Sequence, residues 1–472
     1  MIERKNGEKI TLVGAGPVGS LLALFLSRRG FQVEIFERRP DMRLHGGEGG
    51  RSINLALSVR GLHALKQVGL EEQVLKMAIP MLGRMVHTTD GKNNFQRYGK
   101  NDHEYINSVS RGELNKLLLT EAEKTGLVRL NFDSKVKSCD FIENILEIEE
   151  PANLRREYKA AHSKVTLVEH KFMRVIGTDG SASVLRKSLQ VVATHGSPTE
   201  EHLNYGYKEL NIPPGPGGKF LMEKNALHIW PRGNYMLIAL PNLDGSFTAT
   251  LFLPHNGPLS FDSLNSEKDV QKLFEKDFGD VMGVMPNLAE TFFGNPLGHM
   301  VTVKCTPWNF GDRALLLGDA AHAMVPFFGQ GMNCGFEDCT MLDTALSQGS
   351  DWNGTFTEFS KTRKPHTDAI SDMAVENFIE MRDKVADPRF LLEKSVEKIL
   401  QAKFPQLYIP RYQLVTFSRV PYKTAYDLGL VENKILARLC QKIKTAEEVN
   451  LGEAQALIQN ELKPMLETHH LI

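Results

Sequence analysis

The 472-residue sequence has little tryptophan (3 residues), few cysteines (5) and almost no net charge, −1 from 56 Lys+Arg against 57 Asp+Glu. Near-neutrality removes the basic field that recruits nucleic acid or an anionic membrane, so no nucleic-acid partner is expected and small-molecule chemistry is the default. Cys139, Cys305, Cys334, Cys339 and Cys440 are odd in number and lack the paired short spacings of a zinc site. They read as buried thiols in a reducing compartment, and no metal is expected. No stretch approaches the roughly 20 uninterrupted apolar residues of a spanning helix. The apolar N-terminal run "TLVGAGPVGSLLALFLS" is interrupted by regularly spaced glycines and leads through Arg28-Arg29-Gly30 into an alternating "FQVEIFE" with no small-residue cleavage site. It is a fold element rather than a signal peptide, and the expectation is a soluble, cytoplasmic protein without a membrane segment. With 42% hydrophobic residues the chain can bury one large core or two to three ordinary ones.

That N-terminal run carries the first chemical signal. A strand "KITLVGAG" leads into Gly14, Gly16 and Gly19 in G-x-G-x-x-G spacing, a helix, and a second strand ending at Glu37, 18 residues after Gly19. The first glycine allows a tight turn, the second lets backbone approach a pyrophosphate, and the third packs helix on strand. The helix N-terminus attracts the phosphates and the acid accepts from a ribose hydroxyl. NAD and FAD both use this fingerprint. Two later segments separate them: "RVIGTDGSASVLRKSL" sets Thr178, Asp179 and Gly180 between a strand and a helix, and "RALLLGDAAHAMVPFFGQGMNCGFEDC" sets Gly318-Asp319 after a strand and before a glycine cluster with a helix from about Met332.

Glycine fingerprint, D-G segment and G-D segment, in this order and about 160 and 140 residues apart, resemble the FAD-dependent aromatic hydroxylases, single-component flavoprotein monooxygenases of the para-hydroxybenzoate hydroxylase type. The resemblance covers residues 11 to about 365 and implies FAD as cofactor. Gly14, Gly16, Val18, Gly19, Glu37, Arg38, Arg39, Ala56, Arg111, Val136 and Asp179 would contact it, Asp319 would hold the ribityl chain, and Gly329, Gln330, Gly331, Met332 and Asn333 would face pyrophosphate or flavin carbonyls at a helix start. Arg111 opens "RGELNKLLLTEAEKTG", with Leu114, Leu117 and Leu118 at helical spacing. NADPH is implied as co-substrate, docking transiently because no second nucleotide fold is visible, and O2 as the oxygen source.

Five further blocks are similar to the branch of this family that hydroxylates L-kynurenine: Gly50 to Leu65, Leu227 to Phe252, Val325 to Cys339, Glu376 to Val385 and Ile409 to Val420. By that similarity Arg84 and Tyr98 would meet the substrate carboxylate, Asn377 and Tyr412 would close the pocket, and Pro326 and Phe327 would line the ring side. Oxygen would be delivered through a C4a-hydroperoxyflavin. No residue is assigned as catalytic, and His322 reads as packing or as a flavin-side hydrogen bond. From the residues alone, Arg84 reads first as a solvated arginine and Tyr98 and Tyr412 as core or rim. Asn377 lies on the apolar stripe Ile370, Met373, Ala374, Phe378, Met381 and Val385, where a buried amide needs a partner, from substrate or from neighbouring backbone.

The expected fold class is α/β: a Rossmann-like FAD-binding domain (1–75, 105–190, 300–365), an inserted sheet-rich substrate domain (76–104, 191–299) and a C-terminal helical region (366–472). "NALHIWPRGNYMLIALPNLDGSFTATLFLP" reads as two strands around an Asn-Leu-Asp-Gly turn, "HGGEGG" (45–50) and "PPGPGG" (213–218) as loops, and "EIEEPANLRREYKAAHSKV" as an exposed hairpin or loop. A homodimer stays open. So do a hydroxylase of another aromatic acid and a flavin reductase or carrier without oxygen insertion.

Overall fold

The structure is a computed structural model describing residues 8–44, 54–99, 101, 103–151, 165–193, 200–349, 351–380 and 387–472. The 45–50 glycine segment and residues 152–164, 381 and 385 fall outside them. At the centre lies a six-stranded sheet in the order Asn309–Phe310, Ala314–Leu316, Arg174–Gly177, Lys9–Val13, Gln32–Phe36, Val128–Asn131, parallel except for its first strand. Its strands are short apolar runs because helices cover the sheet: the strand Lys9–Val13 is buried from Ile10 onward, and the helix Pro17–Arg28 buries Leu21 to Leu26 against the strands.

The glycine turn is fixed by sterics. Gly14 has φ +100°, and a Cβ there would stand 2.5 Å from the Thr178 carbonyl oxygen. A Cβ on Gly19 would stand 2.1 Å from the Gly14 carbonyl oxygen, so only glycine lets the helix start this close to the strand end.

A second, seven-stranded sheet runs Leu297–Val303, Glu200–Ile212, Phe247–Pro254, Met236–Pro241, Ala226–Pro231, Gly83–His87, Asn93–Arg97. It is antiparallel apart from the parallel pair Ala226–Pro231 with Gly83–His87. The sequence expectation of two strands between Asn225 and Pro254 is corrected to three. The Asn242–Ser246 turn is where it was read, but a second turn, closed by Arg232 N–H to the Tyr235 carbonyl at 2.9 Å, splits the first strand. "WPRGNY" hides it because the apolar alternation continues on both sides. One face of this sheet packs against the helices Glu267–Asp277 and Leu288–Gly294, around Trp230, Phe247, Phe274 and Phe278.

The strands flanking "EIEEPANLRREYKAAHSKV" pair antiparallel, Ile145–Pro151 with Val165–Lys171, so its ends form a hairpin. The segment 213–218 is a loop, closed by a Gly215–Lys219 bridge. A three-stranded sheet runs in the order Asn54–Leu57, Ile106–Ser110, Ala78–Met81, its strands interleaved along the chain with those of the two large sheets. After the long helix Trp352–Ile379 the described chain is helical, with Pro388–Lys403, Arg411–Thr416 and Tyr422–Leu439 sharing one core around Val396, Tyr408, Val415 and Tyr422. All five cysteines are free and buried, and among the described residues no helix is long and apolar enough to cross a membrane.

Candidate active site

The carboxyl edge of the parallel sheet gathers the predicted cofactor residues. Gly14, Thr178-Asp179, Gly318-Asp319 and Glu37 follow the ends of four strands of that sheet. Two helices start over this edge without a side-chain cap or an acid in their first turn, Pro17–Arg28 with Gly16 as N-cap and Gly331–Gln348 with Gln330 as N-cap. A Cβ on Gly16 meets nothing within 4 Å, which leaves room for a phosphate against the backbone. Uncapped N–H groups and an open approach are the anion site a dinucleotide pyrophosphate needs.

Around them, Val18 wedges between Gly318 and Gly335, each too close to it to carry a side chain freely. Gly329 is left-handed at φ +68° and abuts Ala56. Arg111 opens the helix Arg111–Lys124, and both Arg111 and Asp319 are exposed. Arg111 and Asp319 act on the same phenol: burial raises the Tyr207 pKa most, Glu209 adds to that, and Arg111 and Asp319 pull in opposite directions. Tyr207 and Glu209, on the strand Glu200–Ile212, were therefore missed by the sequence reading. Their only signal was alternation, which many strand residues share.

Several predicted residues have tasks the sequence did not disclose. Glu37 Oε2 accepts from the Ala15 amide at 2.9 Å and Oε1 from Arg39 N and Nε at 3.0 and 2.8 Å, so the acid also closes the glycine turn. Arg38 and Arg39 are exposed beside it. Val136 sits in the adjoining strand Lys135–Asp140, reached just after Ser134, whose amide bonds the Glu37 carbonyl at 2.8 Å. The Asn333 amide is spent on protein: Oδ1 accepts from Ser58 N–H at 2.9 Å, and Nδ2 donates to the Ala56 and Gly329 carbonyls at 2.8 and 3.0 Å. Gln330 is buried and accepts from the Tyr422 hydroxyl at 3.0 Å, while Met332 packs on the main core. Asp179 has a structural task as well: its carboxylate accepts from Ser183 Oγ at 2.6 Å and from Val184 N–H at 2.7 Å at the start of the helix Val184–Val192, while its backbone lies against the Gly14 turn.

The predicted substrate residues come from four distant segments and converge. Arg84 projects from the strand Gly83–His87 with its guanidinium carbon 5.5 Å from the Tyr98 ring centroid and 5.3 Å from that of Tyr412. The two rings stack at 5.8 Å and 18°. The guanidinium is deeply buried, although the residue as a whole keeps part of its surface. Arg84 Nε and the Tyr98 hydroxyl are enclosed without a hydrogen-bond partner, and Arg84 has no carboxylate partner among the described residues. Burial disfavours its charge, yet the neighbouring Tyr412 and Tyr98 hydroxyls hold it above its ordinary value.

Phe328 stacks on Tyr412 at 5.6 Å, and Phe327 stacks on Phe378 at 4.4 Å and touches Phe252 at 5.1 Å, so the Pro326–Phe328 turn is an aromatic wall beside the left-handed Gly329. Pro326 itself is exposed. Asn377 Nδ2 donates to the Phe327 carbonyl at 2.6 Å. The neighbouring-backbone alternative thus describes that amide group, and its effect on the pocket is to fix the wall. An open cavity of about 550 Å³ near Trp308 and Lys364 lies away from these residues, and Lys364 and Lys423 there are paired with Asp368 and Asp427.

Beneath the wall runs a buried charge ladder. His322 Nε2 faces Asp338 Oδ2 at 2.7 Å, Asp338 Oδ1 accepts from Arg363 Nε at 2.7 Å, Arg363 Nη1 bonds Glu337 Oε2 at 2.8 Å, and Arg60 Nη1 bonds Glu337 Oε1 at 2.6 Å. Burial opposes charge on both His322 and Asp338, but pairing outweighs it: His322 is pushed up to about 10 and Asp338 down to about 2. The pairing favours the charged form of His322, which does not suit it to act as a general base. Sequence reading missed this ladder because its partners stand 16 to 277 residues apart.

The sheet, the fingerprint turn and the two uncapped helix starts define a dinucleotide-binding protein of the FAD class, and the family model "FAD binding domain" matches residues 8–231 and 267–373. A protein named kynurenine 3-monooxygenase from Myxococcus xanthus (strain DK1622) is 52% identical over 462 residues, 98% of this chain and 97% of the relative. One of the same name from Xanthomonas axonopodis pv. citri (strain 306) is 43% identical over 460 residues, 98% of both chains. The solved 2-methyl-3-hydroxypyridine-5-carboxylic acid oxygenase is similar in fold, with TM-score 0.64 at 19% identity over 82% of this chain and 96% of that one. The chain belongs to the kynurenine 3-monooxygenase family of FAD-binding proteins.

Two predictions follow from the site. Asp319→Ala removes an exposed carboxylate at the sheet edge, and the purified variant should hold clearly less FAD per chain than the wild type, read from the ratio of flavin to protein absorbance. His322 titrates near 6.5 unfolded and about 10 folded, so its stabilisation is complete below pH 6.5 and is lost as pH rises towards 10. Asp338 is depressed from 3.8 to about 2, so its share is complete above pH 3.8 and is lost on falling towards 2. Comparing Tm for wild type and His322→Gln from pH 6 upward, the gap between them should narrow as pH approaches about 10.

Proposed function

We propose that the chain hydroxylates L-kynurenine at ring position 3, with NADPH and O2 as co-substrates: one oxygen atom enters the ring, the other leaves as water, and NADPH supplies the two electrons. The observation that carries the substrate class is the enclosed Arg84 cation beside the stacked Tyr98–Tyr412 pair, with no carboxylate partner among the described residues. An enclosed guanidinium with an unsatisfied N–H is matched by a ligand carboxylate, which it binds as a fork. The aromatic wall of Phe327, Phe252 and Phe378 matches the ligand's ring. The names of the relatives at 52% and 43% identity supply the particular amino acid.

The chemistry a bound, reduced FAD supplies is activation of O2 for transfer to an electron-rich ring. Gly16, Val18 and Gly19 would hold its pyrophosphate, Glu37 its ribose, Asp319 its ribityl chain, and the backbone from Gly329 to Asn333 its flavin ring. The protein's own work is positional. Arg84 anchors the carboxylate at one end of the substrate. Tyr98 and Tyr412 stack beside that anchor, and Phe327, fixed through its carbonyl by Asn377, sets the plane of the ring. The substrate's own aniline nitrogen enriches the ring, so no strong protein base is required. Closing the aromatic wall excludes water, which keeps the activated oxygen from being lost as peroxide.

The test is mass spectrometry of the product from FAD-loaded protein given NADPH, L-kynurenine and isotopically heavy O2. The expected product is kynurenine heavier by one labelled oxygen. NADPH consumption with peroxide alone would count against the substrate, and no NADPH consumption would count against a hydroxylase altogether.

A further inference from the structure

Arg60 is 1% exposed, yet its hydrogen bonds go to none of the residues proposed for the substrate or cofactor sites. It sits on the helix Val59–Gln67 and reaches in three directions at once: Nη1 to Glu337 Oε1 at 2.6 Å, Nε to the Val415 carbonyl at 3.0 Å, and Nη2 to the Val420 carbonyl at 2.5 Å. Its guanidinium carbon also stands 3.9 Å from the Tyr422 ring centroid. Val415 lies in the helix Arg411–Thr416, which carries Tyr412, and Glu337 lies in the helix that starts at the loop Gly329–Gln330.

The charge count shows what Arg60 does there. His322, Arg363 and Arg60 are three cations against the two carboxylates Asp338 and Glu337. Without Arg60 the remaining four groups balance, and Glu337 keeps its bond to Arg363. Neutralising the ladder therefore does not require Arg60. What only Arg60 provides is a planar fork that binds two carbonyls of the 411–420 segment while its third nitrogen stays on the flavin-side helix. At its other end the same segment is tied by Arg411 to Glu376 at 2.7 Å.

We propose that Arg60 is a positioning residue: it clamps the segment carrying Tyr412 onto the helix that begins at the flavin-facing loop, and so sets the distance from the Arg84–Tyr98–Tyr412 anchor to the reacting ring. The link to Tyr412's role rests on the function proposed above; the clamp itself does not. Loosening the clamp leaves the cofactor cradle intact but lets the anchor drift, which weakens substrate binding and admits water.

The experiment is hydrogen exchange on FAD-loaded wild type, Arg60→Met and Arg60→Lys, with mass analysis of peptides. In Arg60→Met, amides of 411–420 should exchange about tenfold to a hundredfold faster, the factor for losing a charge-assisted hydrogen bond, while Gly331–Gln348 keeps its protection. Arg60→Lys keeps the cation for Glu337 but lacks the fork, and should show the same local loosening; it decides the matter should Arg60→Met fail to fold. In parallel, KM for L-kynurenine should rise by about tenfold in Arg60→Met with FAD content unchanged, and adding Tyr412→Ala should raise it little further, because the two residues act through one contact. Unchanged exchange at 411–420, or faster exchange spread evenly over the chain, would overturn the clamp. If the local loosening appears but the wild type does not hydroxylate kynurenine, the clamp stands and the substrate assignment fails.

Discussion

Glu337 and Asp338, adjacent acids on the helix Gly331–Gln348, are the point where the molecule is tied together. Asp338 takes His322, Arg363 and the Gly318 amide, and Glu337 takes Arg363 and Arg60. Through these contacts the G-D segment of the parallel sheet, the flavin-side helix, the long helix Trp352–Ile379 and the C-terminal helices share one buried set of charges. Breaking a buried pair so that one charge is left unpaired costs about 3–5 kcal/mol, because that charge has no water to turn to. The value of such a ladder lies less in net stability than in register: each carboxylate oxygen has an assigned donor, and only one docking of the helices satisfies all of them.

Register matters because the site is assembled between elements. The cofactor cradle belongs to strand ends of the parallel sheet, the Arg84 anchor to the strand next to the edge of the second sheet, and Tyr412 to a helix near the end of the chain. The Pro326–Phe328 wall stands between cradle and anchor, held by Phe327 to Asn377 and followed by Gly329 in the left-handed region. In the proposed reaction that arrangement decides whether activated oxygen meets the ring or water, since misplacement of about 1 Å lowers rates by orders of magnitude.

The fingerprint around Gly14 was legible in the sequence because its constraint is local and steric. The turn needs positive φ and absent Cβ atoms, and both the helix and the second strand follow within one short run. The turns after "RVIG" and "RALLL", with Gly180 at φ +82° and Gly318 at φ +62°, were legible for the same reason. By contrast, the helix-start bonds of Asp179 were not legible, because an acid after a strand end looks alike whether its carboxylate faces a cofactor or its own helix. Arg84, Tyr98 and Tyr412 carry no pattern of their own. Only resemblance lifted them, and the fold shows why: the meeting of Tyr98 with Tyr412 depends on how the second sheet docks against the C-terminal helices. Arg60, Arg363 and Glu337 gave no sign at all, since a charged residue on a helix is usually solvated and nothing short-range shows that these three are sealed together.

The central claim is that the guanidinium of Arg84 is held for a ligand carboxylate. Its most direct test is calorimetric titration of the oxidised, FAD-loaded protein with L-kynurenine and with the decarboxylated amine of otherwise identical structure, in wild type and in Arg84→Met. The wild type should bind L-kynurenine about a hundredfold more tightly than the amine, and Arg84→Met should bind both weakly and without preference. Equal binding of the two ligands by the wild type, or discrimination that survives in Arg84→Met, would contradict the account.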